Sequence, residues 1–287
     1  MQVLLLGGHG KVALHLTPLL LNRGWNVTSV IRNPEHENEI LARGKGTKGK
    51  LNILLSSLDD IKSDEDAKKI IDTVSPDYVV WSAENMMEYI IYELEANVQT
   101  KGAGGKGGPE RTFAIDERAA KHFISASFAS PRVTKFLLVS WLGSRRVRPS
   151  WMSDEGWEAI QNVFYNVLPA YAKAKLEADE YLTAFAARRK QSQASPFQAI
   201  CLRPGTLTDE PATGKVQFGK TEGRGNVTRE DVAIVADRLL ARSDTNGWYD
   251  LINGDEPIDD AVERVVREKV DVVEGEDVDA MVKRFFP

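Results

Sequence analysis

The sequence predicts an α/β protein built on a doubly wound parallel sheet, and three observations carry that prediction. Short apolar runs alternate with helix-period stretches through most of the chain. The runs are continuous in valine, isoleucine and leucine, as strands covered on both faces are. A glycine cluster stands where the first run passes into the first helix. The chain has 287 residues, 42% hydrophobic and 28% charged, so it is long enough to bury a large core and ordinary enough in composition to fold throughout.

The elements follow in order. Val3 to Leu6 reads as a strand, Lys11 to Arg23 as a helix stopped by Gly24, and Val27 to Ile31 as a second strand ending at Arg32. A β-α-β unit of this kind needs a right-handed crossover and a parallel sheet. Ile53 to Leu55 is a strand, Asp64 to Val74 a helix, and Tyr78 to Trp81 a strand after the turn at Ser75 and Pro76. Thr112 to Ala129 is a helix, Lys135 to Val139 a strand, and a long helix runs around Tyr171 to Arg189. The strand Gln198 to Leu202 stops at Arg203, Pro204 and Gly205. Beyond Gly205 the alternation fades. A glycine-rich connection, a helix opened by Thr228, a short strand near Trp248 to Ile252 and two acidic C-terminal helices are expected there, forming a smaller lobe over the cleft. The expected division is therefore 1–205 and 206–287, the second packed on the first as one domain.

Composition excludes several classes of function. With 42 acidic and 37 basic residues the net charge is −5, so nothing draws the whole molecule to nucleic acid or an anionic membrane. One cysteine, Cys201, permits no internal disulfide and suits a cytoplasmic, reducing compartment. In its apolar strand it is expected to be a core residue. The four histidines fall in different predicted elements, so no metal site is expected. No apolar run approaches the ~20 residues of a membrane span. The leucines near the start are broken by Gly7, Gly8, His9 and Lys11, so no targeting segment is expected.

Gly7, Gly8, His9, Gly10, Lys11, Val12 and Ala13 satisfy Gly-x-Gly-x-x-Ala. The first small residue permits a sharp strand-to-helix turn, Gly10 lets backbone approach a pyrophosphate, and Ala13 lets helix pack on strand. The positive end of the helix then faces the phosphates. Within a β-α-β unit this pattern indicates the nucleotide-binding turn of a Rossmann fold. Arg32 occupies the end of the second strand, where NAD-specific sites usually place an acid. A guanidinium there would fork onto a 2′-phosphate, which favours NADP(H) over NAD(H). Lys11 would add a second positive charge. Asp59, just past the third strand, would touch the adenine or cap the next helix.

Tyr171 and Lys175 lie four apart on a predicted helix, hence on one face. A neighbouring ammonium favours phenolate, which makes Tyr171 a candidate acid or base. Ser140 ends a core strand, where α/β sheets bind ligands, and its hydroxyl would hold a substrate oxygen.

At this point the sequence resembles the short-chain dehydrogenase/reductase superfamily, in its atypical branch with NmrA-like and biliverdin/flavin-reductase-like members. The resemblance covers essentially the whole chain. It rests on the glycine turn, Val30 to Pro34, Val139-Ser140, Tyr171 to Asp179, Leu202 to Thr208 and Val227 to Ala233. It implies Tyr171 as catalytic acid, Lys175 as ribose contact and tuner of the tyrosine, and Ser140 as the substrate-orienting hydroxyl. Gly7, Gly8, His9, Gly10, Lys11, Val12, Arg32, Asp59, Ser82, Ala83, Arg203, Pro204 and Gly205 would line the cofactor. Asp116 stands where relatives carry a supporting polar residue.

Two features depart from the family's pattern. Ser140 and Tyr171 lie 31 positions apart, with Trp141, Trp151 and Trp157 in or near the excursion, so Ser144 is an alternative serine. Glu84 to Lys101 also interrupts the usual passage from the fourth strand into the glycine-rich loop; its apolar residues recur at helical spacing, so it reads either as a substrate lid or as an insertion that the fold tolerates in a loop. The function expected is NADP(H)-dependent reduction of a small carbonyl, enone, quinone or flavin-like substrate. A non-catalytic NADP(H)-binding redox sensor and an NAD(P)-dependent epimerase or dehydratase are the alternatives. The partner expected is a small molecule.

Overall fold

The computed structural model describes residues 1–83, 108–192 and 195–287. The candidate lid, Glu84 to Lys101, lies outside them. Among the described residues a nine-stranded sheet has the order β11-β8-β10-β6-β5-β4-β1-β2-β3. Its parallel strands are β1 (Gln2–Leu6), β2 (Asn26–Ile31), β3 (Leu51–Leu55), β4 (Tyr78–Trp81), β5 (Lys135–Val139), β6 (Gln198–Pro204) and β10 (Gly247–Asn253). The β3-β2-β1-β4-β5-β6 portion is the doubly wound arrangement, with order reversing beside β1.

Side chains alternate across this sheet, and each face buries its own core. Val3, Leu5, Val80, Leu137 and Leu202 face α1 (Lys11–Asn22), α8 (Arg229–Ala241) and α9 (Ile258–Arg267). Leu4, Leu6, Trp81, Leu138 and Cys201 face the other way, against α3 (Asp64–Val74), α5 (Ala120–Ala129), α7 (Pro169–Gln191) and α10 (Val278–Phe285). Both faces being covered explains why the strands read as unbroken apolar runs. Cys201 is buried in this second core, as expected.

The helix expected from Thr112 is continuous with three pieces: α4 (Gly108–Thr112), a π-helical stretch Phe113–Ala119, and α5. Among the described residues, two α-helices stand where none was expected. One is α2 (Glu37–Arg43); the other is α6 (Asp154–Asn162), capped by Ser153, whose hydroxyl accepts from the Gly156 amide at 3.0 Å. The chain after residue 205 adds three more strands to the sheet. β10 lies parallel to β6, β8 (Lys215–Gly219) runs antiparallel to β10, and β11 (Glu256–Pro257) closes that edge. Only β7 (Thr206–Thr208) and β9 (Asn226–Thr228) form a separate two-stranded pair.

Candidate active site

The glycine turn joins β1 to α1 and sits against the end of β4. Gly7 has φ +80°, and a Cβ there would fall 2.5 Å from the Ala83 Cα. At Gly8 a Cβ would meet Ser29 Oγ at 1.7 Å. Both positions exclude any larger residue, so Gly7, Gly8, Gly10, Ser82 and Ala83 come together at the crevice between β1 and β4. Gly10 is the N-cap of α1 and offers no capping side chain, and the first turn of α1 contains no acid. The positive end of the α1 dipole therefore faces the crevice, which fits a pyrophosphate.

One side of this turn is ringed by charge. His9 stacks on His36 at 3.5 Å between ring centroids, and its Nε2 lies 2.8 Å from Glu39. Lys11 Nζ meets Asp209 at 2.6 Å, and Arg229 holds the other oxygen of Asp209 at 2.6 Å. Arg32 lies at the end of β2 with its side chain half exposed, 3.4 Å from Asp59. Asp59 is gripped by Arg111, Nε to Oδ1 and Nη2 to Oδ2 both at 2.9 Å. That fork is the main reason its carboxyl lies below the usual carboxylate range. Asp59 caps no helix; Ser63 caps α3. Arg111 has no local motif that announces it, since it reaches Asp59 only through the fold.

The chemistry-bearing residues gather where α7 crosses the C-terminal end of β5. Tyr171, Lys175 and Asp179 succeed one another at four-residue spacing and form one buried stripe. Lys175 Nζ donates to the Val139 carbonyl at 3.1 Å, lies 3.3 Å from Asp116 and stands 5.5 Å from the centroid of the Tyr171 ring. Asp116, on the π-helical stretch, is thus directly beside the lysine. Ser140 Oγ donates to Asp179 Oδ2 at 2.7 Å. Ser144 is also buried and flanks the same carboxylate; both hydroxyls favour its charge, Ser140 through the 2.7 Å hydrogen bond.

Trp141 packs on Tyr171, with ring centroids 6.1 Å apart. Met152, Ile160 and Leu168 complete an apolar cluster around the tyrosine, joined by Trp157 and Phe164. The excursion between Ser140 and Tyr171 therefore packs an apolar cluster against the tyrosine.

Arg203, expected beside the cofactor, is set within the core. Its side chain is wholly buried: Nε lies 3.0 Å from Asp250, Nη2 donates to the Leu142 carbonyl at 2.8 Å, and the guanidinium lies over Trp248 at 4.3 Å. Arg203 and Asp250 are register partners on β6 and β10, so the pair ties the C-terminal strands to the core. Pro204 and Gly205 are buried beside it, the Pro204 carbonyl accepting from the Leu142 amide at 3.0 Å.

Residues 7–243 match the family model described as NAD(P)H-binding. A UPF0659 protein of Schizosaccharomyces pombe is 28% identical over 263 residues, covering 89% of this chain and 91% of the relative. The uncharacterized sugar epimerase YhfK of Bacillus subtilis is 26% identical over 268 residues, covering 92% and 100%. Among solved structures, a proposed NAD-dependent epimerase/dehydratase from Bacillus halodurans superposes with a TM-score of 0.65 at 27% identity, covering 92% of this chain and 99% of that one.

Proposed function

The chain belongs to the NAD(P)H-binding family, as an atypical short-chain dehydrogenase/reductase, and from that premise we propose that it is an NADPH-dependent reductase of a small, largely apolar carbonyl compound. The observation that carries this reading is the docking of Tyr171 and Lys175 on the end of β5, with the ammonium anchored at the Val139 carbonyl and 5.5 Å from the phenol ring. A bound nicotinamide supplies hydride. Tyr171 Oη delivers the proton to the oxygen that the hydride leaves negative. Lys175 steadies the phenolate left behind, and Asp116 holds the lysine in place. Ser140 binds the same substrate oxygen. Gly7, Gly8, Gly10, Lys11 and Val12 would hold the pyrophosphate, with Ser82 and Ala83 at the crevice floor.

NADPH is preferred over NADH in this reading because Arg32 faces the 2′ position and Arg111 neutralises the nearby acid. The relatives named as epimerases support a second possibility, in which hydride is taken from a sugar and returned. The apolar wall of Trp141, Met152, Ile160 and Leu168 favours a planar carbonyl or quinone over a polyhydroxylated sugar.

The test is oxidation of NADPH followed in absorbance with 9,10-phenanthrenequinone as probe oxidant and UDP-hexoses as the competing panel. Stoichiometric NADPH loss with the quinone supports the reductase. Sugar isomerisation without net NADPH loss supports the epimerase, and cofactor binding with neither reaction sinks both in favour of a sensor.

A further inference from the structure

Asp179 lies two turns along α7 from Tyr171 and is fully buried. A buried carboxylate is costly unless its oxygens are hydrogen-bonded. Here Oδ2 accepts from Ser140 at 2.7 Å, while Oδ1 has no hydrogen bond among the described residues. The groups facing it come from every neighbouring element. Arg203 on β6 and Lys175 on α7 favour its charge, as do the hydroxyls of Ser140 and Ser144. Asp250 on β10 opposes it, and the thiol of Cys201 lies beside it. Burial outweighs the rest and pushes the Asp179 carboxyl up to about 6. Both protonation states are therefore within reach near neutrality.

The two states give Ser140 opposite roles. A hydroxyl has one proton to donate and lone pairs to accept with. While Asp179 is ionised it accepts that proton, and Ser140 has only its lone pairs for anything else. When Asp179 takes a proton from solvent onto Oδ2, its own O–H donates to Ser140 Oγ, and the serine O–H is released.

We propose, resting on the oxidoreductase reading, that Asp179 is a positioning residue that sets the direction of the Ser140 hydroxyl. Ionised, it leaves Ser140 an acceptor matched to the hydroxyl of an alcohol. Protonated, it makes Ser140 a donor matched to a carbonyl oxygen. The pair thus biases the site toward alcohol oxidation at higher pH and carbonyl reduction at lower pH, independently of the proton that Tyr171 moves.

The experiment needs neither cofactor nor substrate. Protein labelled with ¹³C at the aspartate γ-carbons is titrated by NMR, and the Asp179 signal is assigned by its loss in Asp179→Asn, or in Asp179→Glu where the asparagine variant does not fold. The signal should titrate well above the usual carboxylate value of about 3.9. In Ser140→Ala, which removes the donor to the ionised form, its midpoint should rise by roughly one to two pH units, the worth of a hydrogen bond to a charge. Ser140→Thr should restore it. An ordinary midpoint, or one that Ser140→Ala leaves in place, overturns the proposal. Because turnover plays no part, this result and the quinone assay fail separately.

Discussion

Arg111 clasps Asp59 through two parallel hydrogen bonds of 2.9 Å, and so offsets the carboxylate that stands beside Arg32. A fork of this geometry is stronger than an open ion pair, and Arg32 makes only a 3.4 Å contact with the same acid. Arg32 is thereby left to serve another anion.

Replacing Arg32 with alanine should weaken NADPH binding by roughly 1.5–3 kcal/mol, about 10- to 150-fold, and leave NADH binding nearly unchanged. Arg111→Ala should act differently. It releases Asp59 to draw in Arg32 and to accept from ribose hydroxyls, so NADPH affinity falls while NADH affinity rises. Nicotinamide fluorescence titrations with both cofactors measure this. Equal NADPH and NADH affinities in the parent protein would refute the assignment.

Tyr171→Phe should retain cofactor affinity, since the ring still packs on Trp141 and only the hydroxyl is lost. Loss of the general acid should reduce quinone turnover by about 10²–10⁴-fold. A variant with nearly normal turnover would mean that another group delivers the proton.

How far the sequence reveals this site depends on how local each feature is. The glycine turn and the Tyr171 to Lys175 spacing are short-range patterns, and their places in the fold follow from strand–helix alternation. Asp179 was passed over, although a signal was there: it is the third residue in the four-residue spacing that Tyr171 and Lys175 begin. Arg111 carries no such signal, because 52 positions separate it from Asp59 and only the packed fold joins them. Arg203 has a partner hidden for the same reason. Its position after a core strand suggests a cofactor contact, and only the pairing of β10 with β6 sets Asp250 opposite it. The strands β7 and β9 are three residues each, too short to show a period.

Gly8→Ala tests the turn directly. Its Cβ would overlap Ser29 Oγ, which is buried on β2, so relief requires β2 to shift or the turn to open. Overpacking of this kind costs about 1–3 kcal/mol. Denaturant melts should show that loss, and cofactor affinity should fall with it. The double variant Gly8→Ala with Ser29→Ala should recover part of the stability, and absence of any recovery would show that the clash lies elsewhere.

The pH dependence of stability offers a last test, in which the sign is fixed by the direction of the shift. Burial raises the folded-state carboxyl of Asp179 to about 6, above the unfolded value of about 3.9. Between these values the folded protein holds more protons than the unfolded chain, so this group's contribution to stability falls as pH rises and levels off above about 6. A displacement of roughly two units corresponds to about 3 kcal/mol. Asp179→Asn keeps an acceptor for Ser140 but carries no charge, so it should escape that loss. Its stability relative to the parent should therefore improve by up to about 3 kcal/mol between pH 4 and pH 7. Asp250, also raised to about 6 and held up partly by the charge on Asp179, should titrate lower in the variant and flatten its profile further. Urea unfolding of both proteins across that range measures the difference. A gap that stays constant with pH would mean that Asp179 has the same proton affinity folded and unfolded, and that its burial is offset by Arg203, Lys175 and Ser140.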